Sequence, residues 1–144
     1  MEKAVADFYQ NILQQVLKVE MQKKEISLDI VVCREKKPRL KLINAFLYYD
    51  LKKHELLEHA AIVATRNQEK EILDDIEELY SHTGKKGDAI TIIREEIQLV
   101  KQFIYLVENA LKPRPDLNFV EKRMAQEVEK FVIEQARLYN SSTL

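Results

Sequence analysis

AITIIREEIQLVKQFIYLVENAL, residues 89–111, is the stretch on which the fold turns. Ile90, Ile93, Ile97, Val100, Ile104, Val107 and Leu111 recur close to every 3.5 residues, as in the seam of a packed helix. Ile92, Leu99, Phe103 and Leu106 widen that seam, so neighbours must cover the helix on more than one side. This predicts a central helix over 89–111. The flanks agree. HTGKKGD (82–88) offers Gly84 as a left-handed stop and Asp88 as the next N-cap. KPRPDL (112–117) reads as a rigid linker.

Working outward, the rest of the chain must supply those neighbours. Its 144 residues include only 2 Gly and 3 Pro, too few for the many turns of an all-β protein. With 46% hydrophobic and 33% charged residues the composition is globular. The expectation is an all-α, antiparallel bundle of four to five helices forming a single helical domain over 1–144.

A first helix is expected over about 2–25. Val5, Phe8, Tyr9, Ile12, Leu13, Val16 and Leu17 share one stripe at three- and four-residue steps. ISLDIVVC (26–33) then changes period. Ile26, Leu28, Ile30 and Val32 alternate, which is a strand signal, yet no second strand follows to pair with it. The segment either extends the first helix, covers the bundle as an extended or irregular piece, or pairs with a second copy; the favoured expectation is the cover. A second helix is expected from about Pro38 to Arg66. Asp50, Lys53 and His54 interrupt its apolar stripe, either because the helix breaks and Asp50 caps a new one, or because they sit at an opening in the packing. A third is expected over about 68–82, capped by Asn67, with Ile72, Leu73, Ile76, Leu79 and Tyr80 inward. A fifth is expected over about 118–139, with Asn118 and Glu121 as a capping box and Val120, Met124, Val128, Phe131, Val132, Ala136 and Tyr139 inward. Gln135 marks the edge of that stripe, and NSSTL (140–144) reads as a frayed tail.

Charge is balanced overall, 23 basic against 24 acidic residues, so no global field draws the chain to nucleic acid or membrane. It is polarised along the sequence. Arg34, Lys36, Lys37, Arg39, Lys41, Lys52 and Lys53 fall between 34 and 53; Glu69, Glu71, Asp74, Asp75, Glu77 and Glu78 fall between 69 and 78. The two segments either neutralise each other within one molecule or do so between copies in a homodimer. One cysteine, Cys33, excludes an internal disulfide. MEKAVADFYQNIL lacks the apolar run of a secretory signal, and no run of 18 apolar residues occurs. A cytoplasmic protein is expected.

Candidate chemistry is sparse. Asp50 and His54, four apart, share a helix face, where a carboxylate can orient an imidazole for acid–base work. No Ser or Cys nucleophile lies nearby in sequence, so a structural polar pair is the expected role. The run His54-Glu55-Leu56-Leu57-Glu58-His59 resembles the H-[DE]-x-x-N-H box of two-component sensor kinases, with Glu58 in place of the Asn. That resemblance covers about a dozen residues and implies a phosphotransfer module with His54 as acceptor. Glu71, Asp75, Glu78 and His82 line one arc of the third helix at metal-chelating spacing, but a single face supplies too few converging ligands, and a solvated acidic face explains them. The basic residues 34–53 and Lys85 and Lys86, with Tyr48 and Tyr49 for stacking, form a candidate phosphate-binding patch. No phosphate loop, CxxC, HExxH or GxSxG occurs, and no cofactor is called for. The leading expectation is a non-enzymatic regulatory or protein–protein interaction module working through helix faces. A nucleic-acid binder using 34–53 comes next, and a histidine phosphotransfer module after it.

Overall fold

The computed structural model describes residues 2–112 and 119–141. Those residues form five α-helices and no strand: α1 (Lys3–Val32), α2 (Lys36–Arg66), α3 (Lys70–Leu79), α4 (Ala89–Leu111) and α5 (Phe119–Ser141), with a 3-10 turn (Ser81–Thr83) after α3. The expected all-α bundle is what the chain adopts.

Three long helices, α1, α2 and α4, run through two core clusters. At one end Ile12, Val16 and Val19 of α1 meet Leu57, Ala60 and Ala61 of α2, Ile93 and Ile97 of α4, and Ile76 of α3. At the other end Ile30 of α1 meets Ile43 and Phe46 of α2, Ile104 and Val107 of α4, and Val128, Val132 and Ala136 of α5. The early half of α1 thus pairs with the late half of α2, so the two are antiparallel, and α2 and α4 are likewise. α3 covers the first end and α5 the second. The outer layer of the bundle is split, and the gap between its two pieces positions the site described below. Ile43 and Ile93 have no exposed surface; burying each contributes about 1.5–3 kcal/mol.

Residues 26–32 are helical, not an extended cover. The inward row of α1 is Ile12, Val16, Val19, Lys23, Ser27 and Ile30, stepping by three and four throughout. Two of its members are polar, and the exposed Leu28 and Val32, falling at alternate positions with Ile26 and Ile30, supply the spurious alternation. Helix α2 begins two residues before Pro38, which therefore sits in the first turn, where its missing N–H costs no hydrogen bond. α2 runs unbroken past Asp50, which caps nothing and instead faces an opening in the packing.

Asn67 does not cap α3. It ends α2, its N–H bonding to Val63 O, and Gln68 follows with a left-handed φ of 55°. α3 is shorter than the expected 68–82 because Tyr80 leaves the helix for the 3-10 turn, which Gly84 stops at φ 69°. Asp88 caps α4 as expected, accepting from Thr91 N at 2.8 Å. In α5 the inward row is Ala125, Val128, Glu129, Val132 and Ala136, whereas Val120, Met124 and Phe131 are exposed. Likewise Leu13 and Leu17 face outward on α1. The expected Asn118 cap, most of the 112–117 linker and the end of the frayed tail lie outside the described residues.

Candidate functional site

A cavity of about 290 Å³ opens where α3 and α5 fail to meet. Phe46, Leu99, Phe103, Phe131 and Val132 form its apolar walls; Lys23, Asp50, His54, Tyr80, Glu96, Gln135 and Tyr139 supply the polar lining. The expected pair is here. His54 Nε2 lies 3.3 Å from Asp50 Oδ2, one turn apart on α2. Two partners arrive from distant elements. Lys23 Nζ of α1 donates to Asp50 Oδ1 at 2.8 Å, and the Tyr80 hydroxyl, at the end of α3, is 2.7 Å from His54 Nδ1. A carboxylate only accepts, so Nε2 carries the hydrogen toward Asp50, and in the neutral ring Nδ1 accepts from Tyr80.

The network extends toward α5. Glu20 receives Lys53 Nζ at 3.1 Å and the Tyr139 hydroxyl at 2.5 Å, and Lys23 Nζ stands 3.6 Å away. Lys23 also lies over the rings of Phe46 and Tyr139, 5.0 and 5.1 Å from their centroids, a cation–π arrangement that suits a buried ammonium. Two carboxylates thus meet two ammonium groups.

The electrostatics follow from this pairing. Burial pushes the Asp50 carboxyl up, but His54 and the Lys23 charge overrule it and hold the group well below the usual carboxylate range. Glu20 is also lowered, burial again being outweighed, here by Lys23, Lys53 and Tyr139. Tyr80 is raised by burial and by the charges of Asp50 and Glu96, and Tyr139 by burial and its bond to Glu20. Neither phenol is a base near neutrality. Both nitrogens of His54 are engaged, and among the described residues no Ser or Cys side chain lines the cavity. Lys23, Asp50, His54, Tyr80, Glu20 and Tyr139 are tied to one another across α1, α2, α5 and the end of α3, so the arrangement braces the junction between the two core halves.

The basic residues of 34–53 do not gather in one place. Arg34, Lys36, Lys37 and Lys41 are exposed at and just beyond the turn between α1 and α2. Arg39 donates to Glu129 of α5 through Nε at 3.0 Å and through Nη2. Lys53 is held by Glu20, and Lys52 lies about four helical turns from Lys36. The acids of α3 sit at the opposite end of the bundle, and among the described residues no ion pair joins the two segments. Glu71, Asp75 and Glu78 are exposed on α3, while His82 lies in the 3-10 turn at the cavity edge. No group of three or more His, Cys, Asp or Glu side chains able to hold a metal ion occurs among the described residues.

A second candidate is a surface. Leu13, Leu17, Met21, Leu28, Val31 and Val32 are exposed along α1, Met21 at 68% and Val32 at 74%. At 100° per residue they fall within one arc about 100° wide, an apolar stripe interrupted by Lys24 and facing away from the core. Single exposed aliphatic residues are ordinary, but a row of them on one face is a feature of interaction sites. Among the described residues no helix is long and apolar enough to cross a membrane. No protein-family model, curated protein or solved structure matches the chain.

Proposed function

We propose that this chain is a non-enzymatic, cytoplasmic protein–protein interaction module whose binding element is the outer face of α1. The observation that carries this reading is the exposed row Leu13, Leu17, Met21, Leu28, Val31 and Val32. A helix that offers one apolar stripe to the core and a second to solvent is shaped to bind on both sides. The rival readings have less support. His54 is buried with both nitrogens engaged, a poor disposition for a phosphoacceptor. Arg39 and Lys53 are spent on internal ion pairs, which leaves a small basic cluster for phosphates.

The test is co-purification from the native cell with the unaltered chain and with Leu17→Glu/Leu28→Glu. Both side chains are exposed, so circular dichroism should be unchanged while specific binding is lost. Binding that survives the double substitution would place the interaction elsewhere. Binding that instead falls steeply with salt and with Lys36→Glu/Lys37→Glu would favour nucleic acid.

A further inference from the structure

We infer that the partner of this face is a second copy of the chain, with α1 packed antiparallel against α1 about a two-fold axis between Gln22 and Lys23. The inference rests on the proposal that the α1 face is the binding element, and it adds the occupant and its orientation. Three observations point to it.

The stripe is self-complementary in length. With the axis between Gln22 and Lys23, Leu17 lies across from Leu28 of the second copy, and Leu13 across from Val32. Met21 meets the aliphatic stem of Lys24, the charged residue within the arc. The paired segment spans about 30 Å of helix.

The flank is self-complementary in charge. Lys18, Glu25 and Asp29 are all exposed and share one edge of the stripe. In an antiparallel two-fold pair like edges meet, so Lys18 falls between Glu25 and Asp29 of the second copy, within one turn of each. The two-fold axis repeats the arrangement. A parallel pair would set Lys24 against Lys24 across the seam.

The poles agree. Arg34, Lys36 and Lys37 stand at one end of the bundle and the acidic face of α3 at the other. Antiparallel pairing opposes these poles, whereas parallel pairing would bring basic end against basic end. A strip one helix wide is at the small end of specific interfaces, so association is expected to be reversible in the micromolar range.

The experiment is sedimentation velocity on the full chain across micromolar concentrations. The expected result is a concentration-dependent shift from monomer to dimer mass, abolished by Leu17→Glu/Leu28→Glu. Lys18→Glu alone should weaken association at least tenfold, and adding Glu25→Lys and Asp29→Lys should restore it. A merely structural role for these exposed residues would show no such rescue. Orientation is read by disulfide trapping in a Cys33→Ser background: Leu17→Cys mixed with Leu28→Cys should cross-link far more than either alone. Monomer mass at every concentration, or a dimer indifferent to the face substitutions, would overturn the inference. A monomer whose α1 face still captures another protein would overturn it too, while leaving the broader interaction reading intact.

Discussion

Asp50 shows how one charge can be kept inside a helical bundle. Its carboxylate is largely withdrawn from water, yet Lys23 and His54 answer it from two directions. A buried ion pair of this kind adds little net stability against an apolar replacement, but breaking it from one side is costly. Lys23→Met should therefore lower stability by about 3 kcal/mol, because Asp50 and Glu20 lose their shared cation. Lys23→Met/Asp50→Leu should recover much of that loss, and urea unfolding of the four members of the cycle measures the coupling. The acid limb follows the same logic. Asp50 and Glu20 both titrate lower when folded than when unfolded. Their stabilisation is complete above the ordinary carboxylate value of about 4 and is lost as pH falls below it toward the folded values. The urea midpoint should drop between about pH 5 and pH 2, and Asp50→Asn should flatten that slope. An unchanged slope would assign acid sensitivity to other carboxylates.

At the scale of elements, the passage from α3 to α4 is set by local chemistry that can be removed one piece at a time. Asp88→Ala deletes the bond to Thr91 N and should cost about 1 kcal/mol. Gly84→Ala meets no neighbouring atom, so its cost is the left-handed backbone alone, about 1–2 kcal/mol. Thermal unfolding of the two variants separates a lost cap from a strained turn. These two residues are also the most legible, since cap and stop chemistry is local in sequence. α4 is legible throughout because almost every side chain it buries is apolar. The second half of α1 is not, because Lys23 and Ser27 occupy inward positions where periodicity looks for aliphatics. α5 misleads in the opposite sense: Glu129 turns inward to meet Arg39, while Val120, Met124 and Phe131 face out. The site divides in the same way. Asp50 and His54 are one helical turn apart and pair on spacing alone. Lys23 and Tyr80 come from 27 and 26 residues away, and only folding brings them together. The one signal for Lys23 is its place on the row of Ile12, Val16 and Val19, and a charged side chain there reads as the end of the row.

For the whole molecule, the decisive feature is that α1, α2 and α4 pass through both core clusters while α3 and α5 each serve one. No unfolding of one end can spare the helices that build the other. The polar network lies at the junction, linking α1 to α2 through Lys23 and Asp50, α2 to α3 through His54 and Tyr80, and α1 to α5 through Glu20 and Tyr139. Damage at either end should therefore be felt at both. Ile93→Ala strikes the cluster under α3 and Ile43→Ala the cluster under α5; each removes a side chain with no exposed surface and should cost about 2–5 kcal/mol. Each variant should still unfold in one transition, with the same midpoint by circular dichroism and by hydrogen exchange at the slowest amides of both ends. Faster exchange around Ala60 and Ala61 in Ile93→Ala does not discriminate, since that end carries the lesion; faster exchange at the amides of Val128 and Val132 does. If those α5 amides keep their original protection while the α3 end loosens, the two clusters unfold separately, and the shared helices do not couple them.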